Sequence, residues 1–304
     1  MSENTYHTSV MLHECIDGLR INPAGTYVDV TFGGGGHSKA ILAKLGPDGK
    51  LFSFDQDPDA WEQAEKIDDE RLTLITANFR YLEKYLRLHR VKEVDGILAD
   101  FGVSSFQLDA PERGFSIRFD GPLDMRMGPS ASMTAAELLN GYSASELQRI
   151  LGMYGEVKNA KTLAQAIIQA RTTKPLETTQ EFKEILNKLA PKHREFKYFA
   201  QVFQAIRIEV NQELAVIEEF LVQAPTVLKQ EGRLVIMSFH SLEDRLVKNF
   251  IKAGNVQGKE DKDLFGVVHR PLESVTRKPI TASEEELKLN PRSRSAKLRI
   301  ASKL

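Results

Sequence analysis

Thr26-Tyr-Val-Asp-Val-Thr-Phe-Gly-Gly-Gly-Gly-His-Ser38 decides the fold: a short β-rich run passes through Asp29, four glycines follow, and helical periodicity opens behind them. Strand, glycine turn and helix start in that order form the first half of a βαβ unit, the building block of parallel sheets. The first strand is predicted at Thr26 to Val30, and Leu51 to Asp55, Leu72 to Ala77 and Val94 to Asp100 repeat its pattern. The segments between carry apolar faces suited to covering helices, first Ala40, Ile41 and Leu45, then Trp61, Ala64 and Ile67. The predicted class is therefore α/β, a Rossmann-like doubly wound sheet that binds ligands beyond the carboxyl ends of its strands.

Past Asp100 the pattern changes. Phe101 to Pro129 is rich in Gly, Pro and Asp without a sustained period, and predicts a long ordered loop. Thr134 to Leu189 predicts an all-helical block, with capping boxes at Ser143/Glu146 and Thr178/Glu181. One long helix is predicted over Gln201 to Leu228, and Gly232 to Ser238 returns to a buried strand, so the helical block is an insertion into the sheet. Ser241 reads as the N-cap of a further helix whose Leu242, Leu246, Val247, Phe250 and Ile251 face a core. The expected division is a sheet domain over 1–108, a loop and helical insert for substrate recognition over 109–206, and the rest of the sheet domain over 207–304.

With 304 residues the chain can bury a sizeable core, and its 41 basic and 42 acidic residues give a formal charge of -1. No global field points to a nucleic acid or membrane, so such a partner needs a local patch. Lys288, Arg292, Arg294, Lys297, Arg299 and Lys303 supply one candidate, although Ala296, Leu298 and Ile300 alternate among them as in a half-buried strand. The single cysteine, Cys15, allows no internal disulfide, and no Cys/His spacing suggests a structural zinc site. With no membrane-length apolar run and no secretory start, a cytoplasmic setting is expected. The oligomeric state is left open.

The four glycines let backbone approach a ligand closely, and Asp55 at the next strand end suits a ribose hydroxyl, which together indicate a nucleoside cofactor. The dinucleotide fingerprint G-x-G-x-x-G fails at its third glycine in both frames, at Ser38 and at Lys39, and no phosphate-binding P-loop is present. S-adenosylmethionine fits better, because its methionine end needs no pyrophosphate cradle. A nicotinamide-dependent oxidoreductase is the alternative enzyme, and a catalytically silent RNA-binding assembly factor the non-enzyme one.

Asp29-Val-Thr-Phe-Gly-Gly-Gly-Gly-His-Ser38, Asp100-Phe-Gly-Val-Ser-Ser-Phe-Gln-Leu-Asp109, Glu112-Arg-Gly-Phe-Ser116, Gly121-Pro-Leu-Asp-Met-Arg-Met127 and Ser238-Phe-His-Ser-Leu-Glu-Asp-Arg245 together resemble the RsmH (MraW) family. The resemblance runs from His7 to Ile300. It implies a class I S-adenosylmethionine-dependent methyltransferase with a helical insert, acting on the N4 amine of a cytosine in the decoding region of 16S rRNA. The substrate it implies is that rRNA, folded within the small ribosomal subunit. The product would be S-adenosylhomocysteine, and no metal is required. Carried over by motif, Gly35, Gly36 and His37 would approach the cofactor, Asp55 its ribose, Phe79 the adenine, and Asp100 and Gln107 the methionine or reacting end.

Asp100 is the candidate catalytic residue. It ends a strand and opens Asp-Phe-Gly-Val, similar in place to the Asp/Asn-Pro-Pro-aromatic turn of other amino-group methyltransferases, without the prolines. A carboxylate there can accept hydrogen bonds from an amino group whose lone pair is delocalised into the ring. Each residue also has an ordinary reading: aspartates cap helices, a lone Phe79 packs in a core, and Ser238 to Arg245 is a strand end and cap. His37 is given no acid–base role. Phe115, Arg118, Arg126, Lys192, Arg194 and Lys197 are candidate RNA contacts alongside the basic C-terminus.

Overall fold

The computed structural model describes residues 9–304, so His7, where the resemblance begins, lies outside the described residues. In chain order come α1 (Leu12–Leu19), β1 (Thr26–Asp29), α2 (Gly36–Leu42), β2 (Lys50–Phe54), α3 (Pro58–Ala64), β3 (Leu72–Ile75), α4 (Leu82–Leu88) and β4 (Val94–Asp100). Then follow α5 (Ser105–Asp109), α6 (Ala135–Gly141), α7 (Ala144–Met153), α8 (Ala160–Thr173), α9 (Thr179–Leu189), α10 (Glu195–Asn211) and α11 (Glu213–Val227). The chain closes with β5 (Leu228–Ser238), α12 (Ser241–Ala253), β6 (Leu272–Ser274), α13 (Glu284–Leu289) and β7 (Lys297–Lys303). Two units result, 1–102 with 214–304, and 103–213.

The first unit is a seven-stranded sheet in the order β3-β2-β1-β4-β5-β7-β6. β3, β2, β1, β4 and β5 are parallel, while β7 runs antiparallel between β5 and β6. After β1 the chain moves outward one way to β2 and β3, then crosses back to β4 on the other side. The carboxyl ends of β1 and β4 therefore flank the switch point, where such sheets bind ligands. Strand residues alternate between two cores. Val28, Ile97 and Ile236 pack with Phe220 and Phe250, whereas Tyr27, Leu98 and Val235 pack with Cys15, Leu19 and Ile41. Burial on both faces explains why β1 and β4 read as nearly unbroken apolar runs.

β5 is longer than the expected Gly232 to Ser238. It begins at Leu228 through the polar Lys229-Gln-Glu, with Glu231 at φ 62° and a register shift against β4, a bulged lead-in that no alternation marks. α12 is capped by His240 rather than Ser241: the His240 side chain accepts from the Glu243 N–H while the Glu243 carboxylate accepts from the His240 N–H.

The second unit is helical, its core formed by Leu138, Leu147, Ile150, Leu163, Phe182, Leu186, Val202 and Phe203 among others. Both expected capping boxes are present, at Ser143 and Thr178, and Thr134/Glu137 adds a third. The single helix expected over Gln201 to Leu228 is instead two, broken at Gln212 in the left-handed region at φ 52°. Asn211 is engaged just before the break, its Nδ2 donating to the Met125 carbonyl and its Oδ1 accepting from the Met127 N–H, both at 2.7 Å. That clamp holds the fully buried Met125 at φ 59°. The long loop expected over Phe101 to Pro129 is interrupted by α5 and by a 3-10 turn at Pro111–Arg113, where the Ser104 cap and Pro111 start short helical turns that no apolar period marks.

Candidate functional site

Five sequence-predicted residues gather at the carboxyl ends of β1, β2 and β4 in the first unit. β1 ends in Asp29, whose position opposite Ser53 of β2 and Leu98 of β4 places it at the centre of the edge. Asp29 is fully buried; its Oδ2 accepts from Ser38 Oγ at 2.7 Å, and Ser38 Oγ lies 2.9 Å from Ser53 Oγ. Its Oδ1 accepts from the Thr31 N–H at 3.1 Å, and Thr31 Oγ1 accepts from the Asp100 N–H at 2.7 Å. This network locks the glycine turn to both neighbouring strands. Ser53 acquires that role only through strand register and nothing in the sequence marks it, while Ser38, which closes the glycine motif, is not marked there as a partner of Asp29.

The glycine turn is shaped closely. Gly35 has φ 76°, and a Cβ there would stand 2.7 Å from the Phe32 ring; a Cβ on Gly36 would stand 2.0 Å from Ser9 Oγ. At Gly34, by contrast, a Cβ would meet nothing within 4 Å. Asp55 is drawn beneath the turn, its Oδ2 accepting from the Gly33 N–H at 2.7 Å and its Oδ1 from the Asp57 N–H at 2.9 Å. Each carboxylate oxygen keeps a lone pair for a further donor.

His37 is 4% exposed and its Nε2 lies 3.2 Å from the Val10 carbonyl, to which it donates, so Nδ1 carries no proton in the neutral ring. Nδ1 faces Asp100 Oδ2 at 3.8 Å. Burial keeps the imidazole below its usual pKa. Asp100 Oδ1 is buried without a hydrogen-bond partner. Burial, with Asp29 and Glu243 nearby, pushes Asp100 well above the usual carboxylate range. Burial likewise raises Asp29, and raises Asp55 to about 6 against the two amide bonds that oppose it.

Beside Asp100, Met237 of β5 is its strand partner, and the turn that follows carries His240 and Glu243. Glu243 is fully buried, accepts from the Phe239 N–H at 2.8 Å, and has Oε1 3.2 Å from His240 Nε2. A strand end and cap is what the sequence of this segment indicates, and nothing in it marks Glu243 as a fully buried carboxylate. Phe79 is half-buried, stacked on Phe101 with centroids 5.8 Å apart and edge-on to Phe220 at 5.5 Å. It joins the core cluster and, being half-exposed, still offers part of its ring. Gln107 belongs to the second unit, where it is 5% exposed and closes a capping box with Ser104.

Among the described residues none of Asp29, Asp55 and Asp100 is paired with Lys or Arg, although all three are largely withdrawn from water. Carboxylates so held favour a cationic ligand and disfavour a pyrophosphate.

The C-terminal basic patch is smaller than its sequence suggests. Arg299 Nε and Lys297 Nζ bind Asp244 at 2.7 and 3.1 Å, and Lys303 Nζ donates to the Leu228 carbonyl. Burial alone would raise Asp244, but the Arg299 and Lys297 bonds outweigh it and hold it below the usual range. These cations brace the sheet. Arg299→Ala is expected to lower stability by about 1–3 kcal/mol, because it strips a partner from a mostly buried carboxylate. A denaturant midpoint equal to that of the parent chain would contradict this. Of the other basic and aromatic candidates, Phe115 is 6% exposed and belongs to the core, and Arg126 is held bidentately by Asp124. Arg118, Lys192, Arg194 and Lys197 are exposed.

The sheet order, with one antiparallel strand slotted between β5 and β6, and the glycine turn at its switch point define a class I S-adenosylmethionine-dependent methyltransferase fold. The model of the MraW methylase family matches residues 4–304, and the chain belongs to that family, the one its motifs resemble. It is 56% identical to the ribosomal RNA small subunit methyltransferase H of Cytophaga hutchinsonii over 97% of this chain and 99% of that one. It is 54% identical to the protein of the same name from Flavobacterium johnsoniae, covering 98% of each. A crystal structure of an rRNA methylase from Streptococcus thermophilus aligns over 100% of this chain and 99% of that one, with TM-score 0.41 and 14% identity. Among the described residues no helix is long and apolar enough to cross a membrane.

Proposed function

We propose that the chain transfers a methyl group from S-adenosylmethionine to the exocyclic N4 amine of a cytosine in the decoding region of small-subunit 16S rRNA. The observation that carries the cofactor reading is the set of carboxylates Asp29, fully buried, and Asp55 and Asp100, partly buried, none of them paired with Lys or Arg among the described residues. S-adenosylmethionine brings an ammonium and a sulfonium to such a site, whereas the pyrophosphate of a nicotinamide cofactor would be repelled. The relatives' name supports small-subunit rRNA as the acceptor, and the family resemblance supports cytosine N4.

Gly35 and Gly36 would line the cofactor, Asp55 would accept ribose hydroxyls, and Phe79 would offer its half-exposed ring to the adenine. Gln107, with Asp100, is assigned to the methionine end by motif. When bound, the cofactor supplies an electrophilic sulfonium methyl and leaves as S-adenosylhomocysteine. Asp100 would accept a hydrogen bond from the amino group through the accessible part of its carboxylate, drawing the nitrogen lone pair out of conjugation and toward the methyl. As the N–C bond forms, the amino proton passes to Asp100 or water. The environment that raises Asp100 also makes it the stronger base. The helical insert would hold a nucleotide splayed from its stack.

Asp55 must be ionised to accept the ribose, so protonation opposes binding. Affinity for S-adenosylmethionine is expected to be level above about pH 6, where Asp55 titrates, and to fall by up to tenfold per unit below it. Calorimetric titrations from weakly acid to neutral pH check this, and a pH-independent affinity would contradict it. The function itself is tested with labelled S-adenosylmethionine and small subunits from a strain lacking the enzyme. Label in RNA is the expected outcome, and an unlabelled subunit with intact cofactor binding refutes the acceptor.

A further inference from the structure

We propose that Phe196, flanked by Lys192, Arg194 and Lys197, is a stacking platform for an unpaired RNA base, an inference that rests on the RNA-methylation reading and places one of its contacts. Phe196 is 79% exposed in the first turn of α10, while Tyr198 and Phe199 beside it are 5% and 6% exposed. A lone exposed apolar residue is ordinary. The setting of this one is not.

Pro191-Lys-His-Arg-Glu-Phe-Lys197 places three cations within four positions of the ring in sequence. Lys192, Arg194 and Lys197 are exposed, and so is Lys188 at the end of α9; none makes an ion pair among the described residues. The one carboxylate in the stretch, Glu195, is occupied in accepting from the His193 N–H at 3.0 Å. The turn is also fixed. His193 sits at φ 64°, and the Arg194 N–H donates to the Pro191 carbonyl at 3.1 Å. Behind the ring, α10 is anchored by Phe199, Val202, Phe203 and Ile206 in the core of the insert. A firmly mounted aromatic face with exposed, unpaired cations before and after it in the chain matches a base stacked on a protein surface with its phosphates neutralised nearby.

The test compares Phe196→Ala, Phe196→Trp and the triple variant Lys192→Ala/Arg194→Ala/Lys197→Ala. The probes are a fluorescein-labelled single-stranded RNA of about 16 nucleotides and its duplex, read by anisotropy across a salt series. Equal thermal shifts with S-adenosylmethionine establish that each variant is folded. Phe196→Ala is expected to weaken single-strand binding by roughly 5- to 100-fold with its salt slope unchanged, and Phe196→Trp to restore it. The triple variant is expected to flatten the slope by about 2. Single-strand affinity equal to that of the parent chain in Phe196→Ala overturns the platform, as does Phe196→Trp no better than Phe196→Ala. Weakened binding to small subunits with unchanged RNA affinity also overturns it, in favour of a protein contact. A parent chain that binds neither RNA and labels no subunit overturns the functional reading itself, a failure distinct from that of the platform.

Discussion

Replacing Asp100 with alanine is expected to slow methyl transfer by about 10²–10⁴-fold while leaving the protein at least as stable as before. The two halves have one cause. Asp100 holds Oδ1 buried without a partner and is raised by burial and by the carboxylates Asp29 and Glu243. Such a group costs folding free energy and is retained for what it does to a substrate. Removing it relieves desolvation and like-charge repulsion, so the melting temperature should hold or rise. Asp100→Asn is the sharper variant, because it keeps the shape and one acceptor while losing the charge. If Asp100 localises the amino lone pair, Asn should fall close to Ala in rate and retain much of the affinity for S-adenosylmethionine. Single-turnover transfer rates beside calorimetric cofactor affinities check this. Full activity in either variant would remove Asp100 from the chemistry, and melting far below the parent chain would make its role structural.

Gly35→Ala is expected to lower cofactor affinity by at least tenfold and stability by about 1–3 kcal/mol. Gly35 lies at φ 76°, where an L side chain is strained, and its new Cβ would stand 2.7 Å from the Phe32 ring. Phe32 is 2% exposed and cannot swing away without disturbing Ala60 and Ala64 packed beside it. The turn must move, and with it the Gly33 N–H that holds Asp55 at 2.7 Å. Gly34→Ala is the internal control: its Cβ meets nothing within 4 Å, so stability should change by no more than about 0.5 kcal/mol. Melting curves and titrations of the two variants should diverge. Equal behaviour would show that the turn's shape is not what binds.

Much of this is legible in the sequence itself. β4 occupies Val94 to Asp100 as expected, because a strand buried on both faces leaves an apolar run bounded by polar residues. The capping boxes at Ser143 and Thr178 were legible because their chemistry spans only three residues. What stayed hidden is non-local. Apolar periodicity runs through Gln201 to Leu228, so the break at Gln212 is invisible without the bonds from Asn211 to Met125 and Met127. The six C-terminal cations look free until β7 pairs with β5 and sets Lys297 and Arg299 against Asp244, more than fifty positions earlier. The site divides in the same way. Asp55 and the glycines announce themselves by type and spacing, but Ser38 and Ser53 matter only because register puts Asp29 opposite Ser53. Glu243 is a helix-start glutamate of α12, and only the structure shows it fully buried and near Asp100.

The most direct test is the identity of the methylated nucleoside. Small subunits from a strain lacking the enzyme would be incubated with the purified protein and labelled S-adenosylmethionine, and the rRNA digested and separated. The account predicts label in N4-methylated cytidine, lost with Asp100→Ala. Label in another nucleoside would contradict the acceptor, and label in a cytidine methylated at carbon would contradict the chemistry, because a carboxylate accepting from an amino group would then have no part in the reaction.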